Sequence, residues 1–133
     1  MKGYLLDTNQ VGQAVRKNSA VRARIKKVVD QGVRVGTCLP VLCKIEAGAV
    51  VVHHVDEYHD GLRGVLKQIR IWPLTLQTAN LYCEIFNDLR RRGRALSQVD
   101  MMLAALCREL DLTLITTDKD FAALAWLKTD NWA

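Results

Sequence analysis

Residues 3–9 read GYLLDTN, a short apolar stretch that runs straight into three residues suited to a turn or a helix cap. We interpret Gly3–Leu6 as a buried strand and Asp7 as the residue at which the chain turns into a helix. The stretch Leu112–Asp118, LTLITTD, repeats this arrangement near the other end of the chain. A buried strand followed at once by a polar turn is typical of α/β proteins.

Between these two stretches, strand-like segments alternate with segments of helical periodicity. The pattern predicts a three-layer α/β fold, with a central, mostly parallel sheet flanked by helices, and a single domain over residues 1–133. Helix-capping and helix-terminating residues predict helices that begin after Ser19, near Pro40, after Thr75 and after Ser97. The prediction of a further helix over Asp56–Ile69 is weaker because that segment contains Gly61 and Gly64. Further strands are predicted at Val33–Leu39, at Ile69–Trp72 and near Leu127–Thr129.

Two rows of apolar residues at helical spacing are predicted to face the core. One lies on the helix near Pro40, and the other lies on the helix after Thr75. The first row consists of Leu42, Ile45, Ala49 and Val52. The second consists of Leu76, Ala79, Cys83 and Phe86, with Tyr82, Ile85 and Leu89 beside it.

The composition restricts the class of protein. Of the 133 residues, 50% are apolar and 25% are charged, as in a compact globular domain. No apolar stretch approaches the roughly 20 residues of a membrane span, and no signal peptide is recognisable, so we expect a cytosolic protein without membrane contact. The four cysteines form no C-x-x-C pair and are predicted to be core side chains. The net charge of +5 favours a polyanionic partner without requiring one.

Four acids stand where a ligand site is expected or where a charge is costly. Asp7 and Asp118 follow predicted strands, and ligands of parallel sheets bind beyond the carboxyl ends of the strands. Glu46 falls within the apolar arc of its helix and Asp100 borders a buried face, where an unpaired charge is expensive. We therefore expect these four carboxylates, from four separate segments, to converge.

Each acid also has an ordinary structural explanation. Asp7 can cap a helix, and Asp118 or Asp120 can hold a turn. Asp100 fits a capping box, and Glu46 can reach solvent past its neighbours on the helix. These explanations account for each acid by itself but not for the joint pattern.

A cluster of carboxylates suits hydrolysis assisted by magnesium or manganese. Hard cations prefer oxygen ligands, and such an ion activates water and neutralises charge at a scissile phosphate. Without a cation the cluster is strained, since two like charges 4 Å apart repel by about 4 kcal/mol at an effective dielectric of ~20. The acids therefore point to a metal-dependent hydrolase.

Four motifs follow one another along nearly the whole chain. They are Leu5–Asn9, Leu39–Val41 leading to Glu46–Gly48, Asp100–Ala105 and Thr116–Phe121. In order and spacing they resemble the successive motifs of the PIN-domain nucleases. The closing residues Asp130-Asn131-Trp132 are similar to the ending common in the VapC toxins of bacterial toxin-antitoxin pairs.

This resemblance implies a PIN fold, catalysis with Mg²⁺ or Mn²⁺, and endonucleolytic cleavage of RNA. It also implies a cognate antitoxin protein and a homodimer as partners. The residues that match the catalytic acids of the family are Asp7, Glu46, Asp100 and Asp118, and those expected to bind metal are Asp7, Asp100 and Asp118. Asp120 matches a further acid, and Thr117 and Asn9 match polar residues near the site.

A basic run lies just before the helix that carries Asp100. It consists of Arg90, Arg91, Arg92 and Arg94. One interpretation is a solvated helix end whose cations complement the helix dipole. The other is a set of RNA phosphate contacts, since an acidic site needs cations nearby to hold RNA.

We expect structural rather than metal-binding or base-stacking roles for the histidines and tryptophans. His53, His54 and His59 lack the i, i+4 spacing of a helical metal pair and are expected at the surface. The three tryptophans are expected in the core or at an interface rather than as base-stacking groups. These are Trp72, Trp126 and Trp132.

Three other functions remain open at this point. A PIN-type nuclease of RNA maturation would share the same acids, although the short, single-domain chain favours a toxin. A phosphoryl-transfer enzyme with an aspartyl nucleophile would have a second acid at the position of Asn9. A non-catalytic binding module of the same fold would show no metal-dependent cleavage, whereas the complete set of acids favours an enzyme.

Overall fold

The computed structural model describes residues 2–50 and 55–133. Within these residues the sheet has five strands in the order β3-β2-β1-β4-β5, and all neighbouring strands are parallel. The strands are β1 (Gly3–Leu6), β2 (Arg34–Cys38), β3 (Arg70–Trp72), β4 (Leu112–Ile115) and β5 (Thr129–Asp130). The helices are α1 (Thr8–Ala14), α2 (Ala20–Asp30), α3 (Leu39–Ala49), α4 (Val55–Leu66), α5 (Leu76–Arg91) and α6 (Gln98–Leu110), with a 3-10 helix at Lys119–Ala123.

The predicted three-layer α/β fold is confirmed. The central strand β1 carries Leu5 and Leu6 on opposite faces, and both side chains are fully buried. Both faces of the sheet are therefore covered, as expected for parallel strands. No helix within the described residues is long and apolar enough to cross a membrane.

Local caps explain where the helices begin and end. The hydroxyl of Ser19 accepts the N–H of Arg22 at the start of α2, and that of Ser97 accepts the N–H of Asp100 at the start of α6, both at 3.1 Å. Gly32 and Gly93, which follow α2 and α5, have φ of +79° and +66°, a region that favours glycine. These helix boundaries could therefore be predicted from the sequence.

The prediction that the row Leu76, Ala79, Cys83 and Phe86 faces the core is wrong, because these side chains are exposed. Leu76 at the start of α5 is 84% exposed. The helix packs instead through Ile85, Leu89 and the polar Thr78, all of them buried. Thr78 is accommodated because its hydroxyl donates to the carboxylate of Glu109 on α6 at 2.6 Å.

Other predicted core positions are only partly correct. On α3, Ile45 and Ala49 are buried, but Val41 is buried in place of the half-buried Leu42. Val52, the last member of that row, lies outside the described residues. Of the cysteines, Cys38 and Cys107 are buried, whereas Cys43 and Cys83 are exposed, so the core prediction is wrong for two of the four.

The tryptophans lie at different depths. Trp132 is buried and packs on Tyr4 of β1, with ring centroids 5.0 Å apart. Trp72 is half-buried beside the core, and Trp126 is 37% exposed beneath the guanidinium of Arg108, 4.4 Å from its ring centroid. The expected core role is thus clearest for Trp132.

We expect Gly61→Ala to destabilise the protein, although alanine is the better helix former. A Cβ at Gly61 would lie 2.6 Å from the carbonyl oxygen of Val15, which is backbone and cannot move aside cheaply. Such overpacking costs about 1–3 kcal/mol. The matched control is Gly48→Ala on α3, where a Cβ would meet no atom of the described residues within 4 Å, so this substitution should be neutral or stabilising. Urea unfolding of both variants tests this, and equal changes in unfolding free energy would contradict a close α1–α4 contact.

Candidate active site

Asp7 lies at the carboxyl end of the central strand and caps α1. Its Oδ1 accepts the backbone N–H of Thr8 at 2.6 Å, and its Oδ2 accepts the hydroxyl of Thr116 at 2.7 Å. The residue is only 6% exposed. Each carboxylate oxygen offers two lone pairs, so both oxygens keep acceptor capacity for a further ligand.

Thr116 connects the ends of the two central strands. Besides donating to Asp7, its hydroxyl oxygen accepts the backbone N–H of Asp118 at 3.0 Å. Thr116 is not among the site residues predicted from the sequence. Strand alternation places it on the same face as the buried Leu112 and Leu114, and a polar side chain there needs a buried partner.

Asp118 follows β4 and caps the 3-10 helix, where its Oδ1 accepts the N–H of Asp120 at 2.8 Å. The side chain of Asp120 is exposed. In the same loop, the hydroxyl of Thr117 accepts the side-chain amide of Asn9, in the first turn of α1. The loop after β4 is therefore joined to the start of α1 beside Asp7.

Asp100 lies in the first turn of α6 and is half-buried. Burial raises the pKa of its carboxyl, and the negative charges of Asp7 and Asp118 raise it further. A hydrogen bond with Ser97 and the more distant charge of Lys44 act in the opposite direction. Three of the four predicted acids thus share one electrostatic environment.

We expect Asp100→Asn to raise the melting temperature of the metal-free protein at neutral pH. Because the folded pKa of Asp100 lies above its unfolded value, the ionised carboxyl destabilises the fold, and this destabilisation is relieved as pH falls through the folded pKa. The gain of the variant should therefore shrink toward acid pH. Melting curves in chelator across this range test it, with Asp56→Asn, an exposed acid of α4, as the control. A gain that did not depend on pH would contradict the electrostatic cause.

Glu46 is placed differently from the prediction. Its side chain is 58% exposed rather than within the buried arc of α3, because that arc is occupied by Val41, Ile45 and Ala49. Its carboxylate lies 3.8 Å from Nε2 of His59 on α4, a half-buried residue. The structure thus brings three of the predicted acids together and places Glu46 against α4. His53 and His54 lie outside the described residues.

No cation of the described residues is paired directly with these aspartates, and Lys44 lowers the pKa of Asp100 only from beyond 4.0 Å. In the part of the chain that the structure describes, no Lys, Arg or His nitrogen lies within 4.0 Å of the carboxylates of Asp7, Asp100 and Asp118. The described residues also hold no group of three acid, histidine or cysteine side chains already spaced to bind an ion. Magnesium keeps several waters and takes only one or two carboxylates directly, so these oxygen donors still fit a hard divalent cation.

Cys38, at the end of β2, does not extend this donor set. Burial raises the pKa of its thiol to about 11, with the charge of Asp7 acting in the same direction. A thiol of this kind stays protonated at neutral pH, whereas metal binding and nucleophilic attack need the thiolate. The chemistry available at this edge is therefore that of carboxylate oxygens.

The arginine run lies at the end of α5, and some of its side chains have contacts within the fold whereas others have none among the described residues. The guanidinium of Arg92 donates to Asp88 at 2.7 Å and to the carbonyl oxygen of Ala123 at 2.8 Å, so it ties α5 to the 3-10 helix. Arg91 donates to the carbonyl oxygen of Asn87 at 3.4 Å. The side chains of Arg90 and Arg94 are exposed and make no hydrogen bond or ion pair to any described residue.

The chain is similar to a known protein family and to several solved structures. The family model described as PIN domain matches residues 4–127. Among solved structures, VapBC2 from Rickettsia felis bound to a DNA fragment from their promoter matches with a TM-score of 0.88 and 19% identity over 100% of both chains. DNA-bound VapBC from Salmonella typhimurium matches at 0.85 and 19%, again over 100% of both chains. VapBC-5 from Mycobacterium tuberculosis, described as a member of the VapBC family of toxin-antitoxin systems, matches at 0.68 and 20%, over 98% of this chain and 96% of the other. No curated protein matches the chain.

Proposed function

The chain belongs to the PIN-domain family, and we propose that it is a divalent-metal-dependent endoribonuclease that acts as the toxin of a toxin-antitoxin pair. The observation that carries this proposal is the meeting of Asp7, Asp100 and Asp118 at the carboxyl edge of the sheet, where no cation of the described residues is paired with them directly. Buried like charges are costly unless a cation joins them. A nuclease that binds Mg²⁺ or Mn²⁺ would use these carboxylates as metal ligands.

In this proposal Asp7, Asp100 and Asp118 hold the metal. Once bound, a divalent cation neutralises charge at the scissile phosphate. The Thr8 N–H and the Thr116 hydroxyl fix both oxygens of Asp7 before substrate arrives. In the metal-free protein, burial and the charges of Asp7 and Asp118 raise the pKa of Asp100, and a cation bound by the three carboxylates would relieve this repulsion.

The remaining predicted residues surround this centre. We assign Glu46, the fourth acid implied by the family motifs, to the side of the site formed by α3 and α4. Thr117 and Asn9 hold the loop after β4 against α1, and Asp120 lies at the exposed margin. In the arginine run, we assign the RNA contacts to Arg90 and Arg94, because their side chains form no hydrogen bond or ion pair with described residues. Arg92 already donates to the carbonyl oxygen of Ala123.

The partners belong to the same proposal. The similar solved structures are VapBC assemblies, which supports a cognate antitoxin protein for this chain. A homodimer is also part of the proposal, and the exposed row Leu76, Ala79, Cys83 and Phe86 on α5 offers it an apolar surface. RNA is the proposed substrate.

The test is to express the chain together with the small gene adjoining it, purify the complex, and separate the two proteins. The isolated chain is then incubated with total RNA and Mn²⁺, and new 5′ ends are mapped by sequencing. We expect cleavage at discrete positions that chelator abolishes and the partner protein suppresses. Absence of metal-dependent cleavage by the folded chain would favour a non-catalytic module instead.

A further inference from the structure

A second basic region lies away from the arginine run. Between Thr8 and Val29 the chain has no acidic residue, and the first acid after that stretch is Asp30. The stretch carries six cationic side chains, more than the net charge of +5 of the whole protein. They are Arg16, Lys17, Arg22, Arg24, Lys26 and Lys27.

Two neighbouring clefts open between α1 and α2, and we call them the α1–α2 clefts. Their volumes are about 400 and 380 Å³, and both are lined by Lys17, Asn18 and Ser19. Arg16 lines the first, whereas Arg22 and Lys26 line the second. Neither cleft is lined by an Asp or Glu side chain. Among the described residues, the charged side chains that line the clefts are therefore all cationic, and Ala133, the last residue of the printed sequence, also lines the first cleft.

Some of these cations have structural contacts and others have none. Arg22 donates to the carbonyl oxygen of Val15 at 3.5 Å, and Lys26 pairs with Asp30 at 3.0 Å. The exposed side chains of Arg16 and Lys17, by contrast, form no hydrogen bond or ion pair with any residue in the described ranges. These two are available to a ligand without a loss of internal contacts.

The chemistry of the lining distinguishes a nucleic acid from a protein partner. Besides the cations, the polar residues along the clefts are Gln13, Asn18, Ser19 and Gln68, the side-chain types that commonly contact phosphate and sugar. Within the described ranges, no aromatic or large exposed apolar side chain lines either cleft, whereas protein interfaces are anchored by such groups. The exposed apolar side chains of α5 lie elsewhere.

We propose that the α1–α2 clefts bind the sugar–phosphate backbone of the RNA substrate beside the cleaved bond, an inference that rests on the proposed function. The seven residues of α1 connect Asp7 to these clefts, so the two lie about 10 Å apart along that helix. RNA that leaves the aspartates in this direction reaches the clefts within a few nucleotides. The clefts hold the strand by charge and without reading its sequence.

The experiment measures binding of a fluorescent single-stranded oligouridylate of about 20 nucleotides, longer than one small domain covers, by anisotropy in chelator over a range of salt. The test variant is Arg16→Ala/Lys17→Ala. The matched control is Lys2→Ala/Arg70→Ala, which removes one lysine and one arginine from exposed positions that line neither cleft and lie outside the basic stretch. Circular dichroism verifies that both variants are folded.

Loss of two phosphate contacts should reduce the magnitude of the negative slope of log K against log salt by about 1.4 and weaken binding at 0.1 M salt about 25-fold. The control pair should change both quantities far less. Equal slopes for the two variants would overturn the inference, as would a test variant that loses only its affinity for the co-purified partner protein.

The same samples separate this inference from the proposed function. If wild type cleaves RNA with Mn²⁺ but the two variants bind RNA alike, the clefts have no part in binding and the nuclease stands. If wild type cleaves nothing while the slopes still differ, the clefts bind RNA and the nuclease assignment fails.

Discussion

Asp7→Asn should lower RNA cleavage by at least about 100-fold, the scale of losing one preorganised electrostatic group from an active site. The substitution removes the charge at the end of β1 on which cation binding depends. The fold should be preserved, because the asparagine oxygen still accepts the N–H of Thr8 and the Thr116 hydroxyl can rotate to accept the new amide. Initial rates with Mn²⁺ measure the loss of cleavage, and a melting curve in chelator measures whether the fold is preserved.

The control for this variant is Asp56→Asn, which makes the same chemical change at an exposed position in the first turn of α4. It should leave cleavage unchanged. Undiminished cleavage by Asp7→Asn would remove this residue from the catalytic centre. A loss of activity together with a large fall in melting temperature would show that Asp7 serves mainly as the cap of α1.

The parts of the fold that were predictable are those set by local chemistry. Ser19 and Ser97 cap helices because a hydroxyl satisfies an N–H that the helix leaves free, and this requires no knowledge of the tertiary structure. Strands such as Gly3–Leu6 are short, apolar and bounded by polar turns, so their position and their burial both follow from the sequence.

Packing between helices was less predictable. On α5, periodicity detects two adjacent apolar stripes but does not decide which of them meets α6. The contact includes the polar Thr78, which a hydrophobic pattern omits, and leaves Leu76 in solvent. Gly61 weakened the helix prediction for α4 for a similar reason, since its role is the close approach of that helix to Val15.

In the candidate site too, locally determined features were predictable and tertiary contacts were not. Asp7 and Asp118 were placed correctly relative to the sheet, because the ends of parallel strands share one edge. Glu46 was assigned to a buried arc, although a long side chain at the border of a helix can turn outward, here toward His59. The pairing of Thr116 with Asp7 joins residues 109 positions apart, which no local pattern reveals.

Addition of Mn²⁺ should raise the melting temperature of wild type, because an ion that binds only the folded protein stabilises it by mass action. At a hundredfold excess over Kd the gain is about 2.7 kcal/mol, which corresponds to roughly 8 °C for a domain of this size. Manganese should give the larger shift at equal concentration, since magnesium gives up its waters reluctantly. Calorimetry in chelator and with each ion measures the shift.

The double variant Asp7→Asn/Asp118→Asn should lose this metal-induced rise in melting temperature. Its metal-free form should be at least as stable as wild type, because two of the charges that raise the pKa of Asp100 are gone. Added metal should then do little. The matched control Asp56→Asn/Asp111→Asn removes the same charge from exposed positions, one of them in the left-handed conformation that asparagine tolerates, and should keep the full metal-induced shift. Equal shifts in wild type and in Asp7→Asn/Asp118→Asn would mean that these carboxylates do not bind the ion, because mass action requires the stabilisation to disappear with the ligands.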